Sequence, residues 1–242
     1  MRAGIPRPNP FCWMDIKTRD VTGTAAFCTA VFGWDFATEP DAIRRATTIS
    51  VRGHPIGSVS DLATGPYPPE TPAHIAYYLA VTDVDRRAAI AEREGAEVVL
   101  PPVDIGAEGR LATLVDPLGA AFSLWQAGTF TGWSLPAPAG GVPHRLVLNC
   151  TDPDLAERFY RNTLGVLPPE ATFRGATART VKEPRWELAV LLDEPGGLAG
   201  VMAKHDAMPP HRSATLENSL RLHSREGLAS YVLPTDSTTP QR

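Results

Sequence analysis

Two stretches of the sequence follow one pattern, and that pattern decides the fold. Residues 14–36 read MDIKTRDVTGTAAFCTAVFGWDF, and residues 146–168 read LVLNCTDPDLAERFYRNTLGVLP. Aligned without a gap, the two stretches coincide at three positions: Asp20 with Asp152, Phe27 with Phe159, and Gly33 with Gly165. Repetition with equal internal spacing indicates a chain built from several copies of one supersecondary element.

Each copy predicts a short strand followed by a capped helix. The aspartate stands where an N-cap side chain accepts a hydrogen bond from a free backbone amide of the first helical turn. In the second copy Pro153 occupies the first helical position, where its missing N–H costs nothing. Apolar residues then recur at helical spacing, and Gly33 or Gly165 ends the helix in the left-handed conformation that glycine adopts readily.

A weaker copy lies between these two. Residues 74–81 are rich in β-branched and aromatic residues and predict a strand. Asp83 then caps a predicted helix that runs to about Glu94 and ends at Gly95. Strand-like runs follow this helix at 97–100, 110–115 and 120–126, and others follow the helix of the first copy near 34–38, 46–52 and 55–62. The sequence therefore predicts an α+β fold of βαβββ units, each called a repeat below.

The composition is that of an ordinary globular protein. Its 242 residues are 43% hydrophobic and 21% charged, which allows a sizeable core. With a net charge of −4 and no run of Lys or Arg, the chain is not expected to bind nucleic acid. No apolar run reaches the roughly 18 residues of a membrane helix, and residues 1–10 lack the apolar segment of a secretory signal. The three cysteines, Cys12, Cys28 and Cys150, are odd in number and have no C-x-x-C spacing, which indicates reduced, mostly buried thiols in a cytoplasmic protein.

Several short words support a relationship with a known superfamily. They are Phe32-Gly33-Trp34, the run VTDVD at 81–85, the turn sequence DPLG at 116–119, and Leu124-Trp125-Gln126. Together with the repeat spacing, they resemble the vicinal oxygen chelate superfamily of glyoxalases, bleomycin-resistance proteins and dioxygenases, above all its tandem glyoxalase-like/hydroxylase branch. The resemblance covers residues 10–205. It implies that two repeats pair and that their curved sheets enclose a cavity for a small organic ligand.

The repeats and the resemblance together imply a domain organisation. Residues 1–127 form a complete glyoxalase-like domain of two repeats, 128–142 a linker, 143–205 the third repeat of an incomplete second domain, and 206–242 an atypical, partly disordered tail. Within the tail, residues 216–224 favour a short helix. Because no fourth repeat covers the apolar face of the third, we expect a homodimer. Alternatively the tail covers that face with Leu216, Leu220, Leu222, Leu228, Tyr231 and Val232.

Catalytic members of the superfamily hold a divalent metal through one residue on the first strand and one on the last strand of each repeat. The corresponding positions here are Trp13, Ala76 and Arg145 on first strands and Gly57, Ser123 and Ala199 on last strands. Since these residues do not supply the nitrogen and carboxylate ligands required, the sequence predicts no metal and no cofactor. His74 and His144 lie near two of the positions, but His74 has no ligand partners there. A one-residue offset turns His144 to the opposite face of its strand.

Strand alternation predicts the side chains that line the cavity. The ligand-binding candidates combine aromatic walls with a few polar points: Phe11, Trp13, Tyr78, Ser123, Trp125 and Arg145. In the alternative interpretation, the aromatic rings simply pack together as core. Asp15 and His74 face the same cavity and are the catalytic candidates, since an Asp–His pair acts as a general base toward an acidic C–H or O–H.

These residues leave three functions open. The favoured one is a metal-free protein of the glyoxalase/bleomycin-resistance type that binds or sequesters an aromatic or natural-product ligand. The alternative is a metal-independent tailoring enzyme, such as an isomerase, cyclase, lyase or hydroxylase-like protein, acting on a polyketide-like substrate. A third is a scaffold protein whose cavity is closed. The expected metal positions lack metal ligands, while several aromatic residues are predicted to line the cavity. Together these features favour the metal-free binding protein.

Overall fold

A computed structural model describes residues 11–38, 47–64, 67–133, 140–177, 184–192 and 219–234. Over these residues the chain is α+β, as the sequence predicts, with few helices among many strands. None of the described helices is long and apolar enough to cross a membrane.

The first two repeats form the predicted elements. The first repeat consists of β1 (Phe11–Thr18), α1 (Val21–Phe32), β2 (Asp35–Thr38), β3 (Thr47–Val51) and β4 (His54–Asp61). The second consists of β5 (His74–Ala80), α2 (Val84–Arg93), β6 (Glu97–Ile105), β7 (Gly109–Val115) and β8 (Ala121–Ala127). Both follow the βαβββ order, and the main difference from the predicted bounds is that β6 extends further, to Ile105.

Local capping chemistry fixes where the helices begin and end. Asp20, Asp83 and Asp152 each accept a hydrogen bond from the backbone amide three residues later, at the start of α1, α2 and α3 (Pro153–Leu164). Gly33 and Gly165 end α1 and α3 with φ angles of 70° and 83°. These angles lie in the left-handed region, where a residue with a Cβ would be strained.

The chain divides into two compact bodies. The first body comprises Met1–Trp13, Ala76–Gly132 and Leu146–Trp186; the second comprises Met14–Ile75, Trp133–Arg145 and Glu187–Arg242. In the first body the second repeat has the strand order β5-β8-β7-β6, with β5 parallel to β8. In the second body the first repeat has the order β2-β3-β4-β1, with β1 parallel to β4. In both repeats, therefore, the first strand lies beside the last.

The described residues from 143 onward form two sets of paired strands. After α3, β10 (Ala171–Gly175) pairs in parallel with β9 (Pro143–Cys150). β11 (Arg185–Leu192) pairs in parallel with β13 (Ala229–Pro234), and β12 (Leu220–His223) pairs antiparallel with β13. In a complete repeat, the first strand and the last two strands pair in the same way as β11, β12 and β13 do here. The tail therefore contributes strands, which the sequence did not predict.

The short helix predicted at 216–224 is wrong for its described part, because Leu220–His223 is a strand. Apolar and polar residues alternate there with a period of two, which suits a strand with one buried face. Residues 216–218 and 235–242 lie outside the described residues. The described apolar residues proposed as a cover are all buried within one chain: Leu220, Leu222, Leu228, Tyr231 and Val232. This removes our reason for expecting a homodimer, which stays a prediction, as do the domain boundaries.

Candidate functional site

An aromatic cluster forms in the first compact body from β1, β5, β8 and the segment that follows β8. It consists of Trp13, Tyr78, Trp125 and Phe130. The ring centroids of Trp13 and Phe130 lie 4.8 Å apart, those of Trp125 and Phe130 5.9 Å, and those of Tyr78 and Trp125 6.4 Å. All three pairs meet edge to face, an arrangement that aromatic quadrupoles favour. The structure thus brings together three of the predicted ligand-binding residues.

The four rings differ in their exposure. Trp125 is only 5% exposed, and its indole Nε1 donates a hydrogen bond to the carbonyl oxygen of Phe130 at 3.0 Å. Trp13, Tyr78 and Phe130 are half-buried. Trp125 therefore forms the buried base of the cluster, and the other three rings keep accessible surface on which an aromatic molecule can pack.

Phe130 was missed because it lies in the stretch that the sequence predicts to be a linker. The adjoining Gly132 explains how this segment reaches β1. Its φ is +88°, and a Cβ added there would lie 2.4 Å from the carbonyl oxygen of Cys12. Only glycine permits this approach. A phenylalanine two residues before a glycine, directly after a strand, was the signal available in the sequence.

Three other predicted ligand-binding residues lie outside the aromatic cluster. Phe11 is 4% exposed and its ring lies 5.1 Å from that of Trp186. Ser123 is 3% exposed, and its hydroxyl lies 2.9 Å from that of Thr113 on the neighbouring strand. Arg145 is half-buried in the second compact body. Phe11 and Ser123 therefore serve the packed interior, and ligand contacts by these three residues stay predictions.

A polar cluster lies in the second compact body. Asp15, 5% exposed on β1, accepts hydrogen bonds from the hydroxyls of Ser58 at 3.0 Å and Ser60 at 2.8 Å, both on β4. The Nζ of Lys17 lies 2.7 Å from Oδ2 of Asp15 and forms an ion pair with it. The parallel register of β1 and β4 pairs Asp15 with Ser58 and Lys17 with Ser60. These four side chains consequently share one face of the strand pair.

Tyr67 completes the polar cluster from the loop between β4 and β5. Its hydroxyl oxygen accepts a hydrogen bond from Nζ of Lys17 at 2.8 Å. Arg19 holds the same loop, since its Nη1 donates to the carbonyl oxygen of Thr71 at 2.6 Å and its Nη2 donates to that of Pro69. Two consecutive prolines after Tyr67 restrict φ and reduce the conformations open to the loop. The loop is thus held in place around the Tyr67 hydroxyl.

Asp15 and His74 are not hydrogen-bonded to each other. The described partners of Asp15 are Ser58, Ser60 and Lys17, whereas Nδ1 of His74 lies 2.9 Å from the carbonyl oxygen of Pro72. Both carboxylate oxygens of Asp15 therefore already accept hydrogen bonds from side chains of its own cluster. The proposed catalytic pair therefore stays a prediction, and no contact supports it.

The residues at the expected metal positions do not fit a divalent ion. Ser58 pairs with Asp15 and shares its face of the strand pair, so Gly57, the expected position on β4, faces the opposite side. A Cβ added to Gly57 would lie 2.7 Å from Cγ of the fully buried Met14. In the described part of the chain, no three side chains of the metal-binding types lie together as ligands. Ala199 lies outside the described residues.

A buried hydrogen-bonded chain supports the turn after β7 in the first compact body. The Tyr160 hydroxyl donates to Oδ2 of Asp116 at 3.0 Å and accepts from Nε1 of Trp186 at 2.8 Å. Oδ1 of Asp116 accepts from the amides of Leu118 and Ala120. Burial raises the pKa of Asp116 and raises that of Tyr160 well above its usual value. Every polar group of this series of hydrogen bonds has a partner within the fold, so the series has a structural role.

The three cysteines are free and buried, as the sequence predicts. Burial raises the pKa of the Cys12 and Cys28 thiols to about 12 and also raises that of Cys150. Because the thiolate is the reactive form, these side chains are unreactive near neutral pH.

Comparison with known proteins identifies relatives in natural-product biosynthesis. No protein-family model matches the chain. It is 31% identical over 192 residues to anthracycline biosynthesis protein DauV of Streptomyces sp. (strain C5), covering 75% of this chain and 68% of that protein. It is 32% identical over 218 residues to anthracycline biosynthesis protein DnrV of Streptomyces peucetius, covering 84% and 75%. It is also 32% identical over 170 residues to the "Putative glyoxylase CFP32" of Mycobacterium tuberculosis (strain CDC 1551 / Oshkosh), covering 68% and 61%.

Solved structures show the same fold at low sequence identity. The Mn(II)-bound glyoxalase from Novosphingobium aromaticivorans aligns with a TM-score of 0.59 at 16% identity, covering 94% of this chain and 82% of the other. The 2,2',3-trihydroxybiphenyl 1,2-dioxygenase of Sphingomonas wittichii strain RW1 aligns with a TM-score of 0.64 at 13% identity, covering 94% and 91%. At these identities the likeness concerns the fold alone.

Proposed function

The chain belongs to the vicinal oxygen chelate superfamily, and from this premise we propose that it binds a planar aromatic natural product without a metal ion. The observation that carries the proposal is the aromatic cluster, in which the half-buried rings of Trp13, Tyr78 and Phe130 surround the buried Trp125. Half-buried aromatic rings on a rigid base offer a large apolar contact area at little cost in conformational entropy.

The relatives suggest the class of ligand. DauV and DnrV are both named for anthracycline biosynthesis. Anthracyclines are built on a flat, fused aromatic ring system that carries carbonyl and hydroxyl groups. Such a ring system matches an aromatic binding surface in shape and polarity. We therefore take an aromatic polyketide as the ligand class.

Binding is favoured over catalysis because Asp15, the candidate general base, already accepts hydrogen bonds from neighbouring side chains. Asp15 is held by Lys17, Ser58 and Ser60, and none of its described hydrogen bonds is to His74. Metal-dependent chemistry receives no support from the described side chains, which do not assemble a ligand set. The tailoring enzyme considered from the sequence would therefore need a different acid or base.

A binding titration with matched variants tests this proposal. The probe is anthraquinone-2-sulfonate, a water-soluble planar aromatic ketone, and binding is followed by quenching of tryptophan fluorescence and checked by calorimetry. Trp13→Ala and Tyr78→Ala should each weaken binding about fivefold or more, since stacking is worth on the order of 1 kcal/mol beyond the buried area. Phe27→Ala removes a half-buried ring on α1 and serves as the control, with affinity unchanged.

Two results would contradict the proposal. The first is the absence of saturable binding to the wild-type protein. The second is equal affinity in wild type, Trp13→Ala and Tyr78→Ala, which would place the ligand away from the aromatic cluster. The cytoplasmic location, the absence of nucleic-acid binding and the homodimer stay predictions alongside this proposal.

A further inference from the structure

The sheet of the second repeat, in the first compact body, has one covered face and one accessible face. In the second half of β5 and of β7, buried residues alternate with half-buried ones. Because alternate side chains of a strand point to opposite faces, one face of the sheet is packed and the other is accessible to solvent. α2 contacts β6, β7 and β8 and covers the packed face. The accessible face carries Tyr78 and Trp125 of the aromatic cluster.

A row of side chains crosses the accessible face from the aromatic cluster to the edge of the sheet. Tyr78 on β5 pairs with Ser123 on β8, which pairs with Thr113 on β7. Thr113 in turn pairs with Leu100 on β6, the edge strand. Residues directly opposite each other share a face of the sheet. Leu100 and Val103 on β6 are 38% and 39% exposed, so they extend the apolar surface that begins at Tyr78.

The middle of this row is a pair of hydroxyls that keeps one hydrogen for a further acceptor. The hydroxyls of Thr113 and Ser123 lie 2.9 Å apart and share one hydrogen bond, which uses one of their two hydrogens. In the described part of the chain, neither hydroxyl makes a second hydrogen bond. Ser123 is only 3% exposed and Thr113 is half-buried. Since an unsatisfied donor is costly when buried, Ser123 donates to Thr113, and the hydrogen of Thr113 is the one that a ligand can reach.

Trp125 lies beside this pair and does not cover it. Trp125 pairs with Leu111 on β7, and a Cβ added to Gly109 would lie 2.6 Å from Cζ2 of Trp125. The indole therefore leans toward Gly109. Thr113 lies in the opposite direction from Leu111 along β7, so its hydroxyl is left uncovered by the indole.

We propose that Thr113 donates a hydrogen bond to a ring carbonyl of the aromatic ligand, which lies across the strands from Tyr78 to Leu100. The inference rests on the proposed function for its ligand class and assigns the residue that selects an oxygenated ring system. The strands from β5 to β6 span about 14 Å, since neighbouring strands lie about 4.8 Å apart. This span is comparable to the length of a flat system of four fused rings. The four described side chains of the row are uncharged, so the row suits a neutral oxygen better than an anion.

Two ligands that differ in their ring carbonyls test the inference. Anthraquinone-2-sulfonate and anthracene-2-sulfonate share a three-ring framework and a sulfonate, but only the first has ring carbonyls. Dissociation constants for both are measured with wild type, Thr113→Val and Thr113→Ser. Thr113→Val should weaken binding of the quinone about fivefold, the value of one neutral hydrogen bond, and should not weaken binding of the anthracene. Thr113→Ser keeps a hydroxyl and should bind both ligands as wild type does.

Two further variants separate the hydroxyl from the apolar contact. Thr163→Val is the matched control, since it makes the same change at a fully buried residue of α3 in the same body, and both affinities should stay unchanged. Leu100→Ala should weaken both ligands alike, by about threefold or more, because part of the apolar contact is lost.

An infrared measurement on the wild-type protein needs no variant. One ring carbonyl of the bound quinone should absorb at lower frequency than in dry acetonitrile, because donation to the oxygen weakens the C=O bond. An unshifted stretch, or unchanged quinone affinity in Thr113→Val, would overturn the role of Thr113 while leaving aromatic binding intact. Unchanged affinity for both ligands in Leu100→Ala would overturn the orientation across the strands. If neither ligand binds to the wild-type protein, the proposed function fails and the inference fails with it.

Discussion

Replacing Lys17 by methionine should strongly destabilise the protein. The change keeps much of the apolar stem and removes the ammonium that lies 2.7 Å from Asp15. The two side chains are only 15% and 8% exposed, so water can do little to replace the lost partner. Breaking a buried ion pair from one side costs roughly 3–5 kcal/mol. Because Ser58 and Ser60 still donate to Asp15, we expect the lower end, about 3 kcal/mol.

Urea denaturation of matched variants measures this loss. The control is Arg110→Met, which also removes a cation from an ion pair, but whose partners Asp85 and Asp104 are 61% and 74% exposed. Its loss of stability should be far smaller. Adding Asp15→Asn to Lys17→Met should restore part of the stability, because the buried charge is then removed as well. A loss for Lys17→Met no larger than that for Arg110→Met would show that the buried Lys17–Asp15 ion pair contributes no more to stability than an exposed one.

Three further predictions concern packing and pH. Gly57→Ala should lower the free energy of unfolding in urea by about 1–3 kcal/mol, since the new Cβ would lie 2.7 Å from Cγ of Met14; a neutral result would contradict this. Burial lowers the pKa of His144 in the folded protein below the usual histidine pKa of about 6.5. The contribution of His144 to stability is therefore complete above about pH 6.5, and it is lost as the pH falls through the pKa of the folded state. Thermal unfolding should therefore lose less stability between pH 7.5 and 5 in His144→Gln than in wild type. Burial raises the pKa of Asp116, so wild type should gain stability relative to Asp116→Asn as the pH falls from 7 toward 4; a constant difference would contradict this.

Local chemistry made much of the fold predictable. The capping aspartates and terminal glycines act within a few residues of the chain, so Asp20, Asp152, Gly33 and Gly165 mark their helices without knowledge of the rest. The strands of the first two repeats were predictable for the same reason, from apolar content and turn residues. β12 was not, because Leu220 and Leu222 become buried beside β13, a contact that the local sequence does not encode.

The candidate site was predictable only in part. Alternation along single strands identified Trp13, Tyr78 and Trp125, which the structure brings into one cluster. Gly57 was taken as the last-strand position of the first repeat, whereas Ser58 pairs with Asp15 on β1, and neighbouring residues of a strand face opposite sides of the sheet.

The partners of Asp15 were also not predictable from local sequence patterns. Asp15 was identified as a candidate, but Lys17, with which it forms an ion pair, was not. Ser58 and Ser60 follow only from the strand register. Tyr67 lies in a proline-containing loop, and no periodic pattern in the sequence specifies the path of that loop. Contacts that depend on register or loop path are thus the ones that the sequence did not provide.

A crystal structure of the protein with anthraquinone-2-sulfonate shows whether the aromatic cluster binds the ligand. We expect the aromatic ring system to pack on the aromatic cluster, with carbon atoms about 3.5–4 Å from the rings of Trp13 or Tyr78. We also expect that no metal ion takes part in holding the ligand. A ligand bound away from these rings, with the aromatic cluster unchanged and uncovered, would contradict the proposed function.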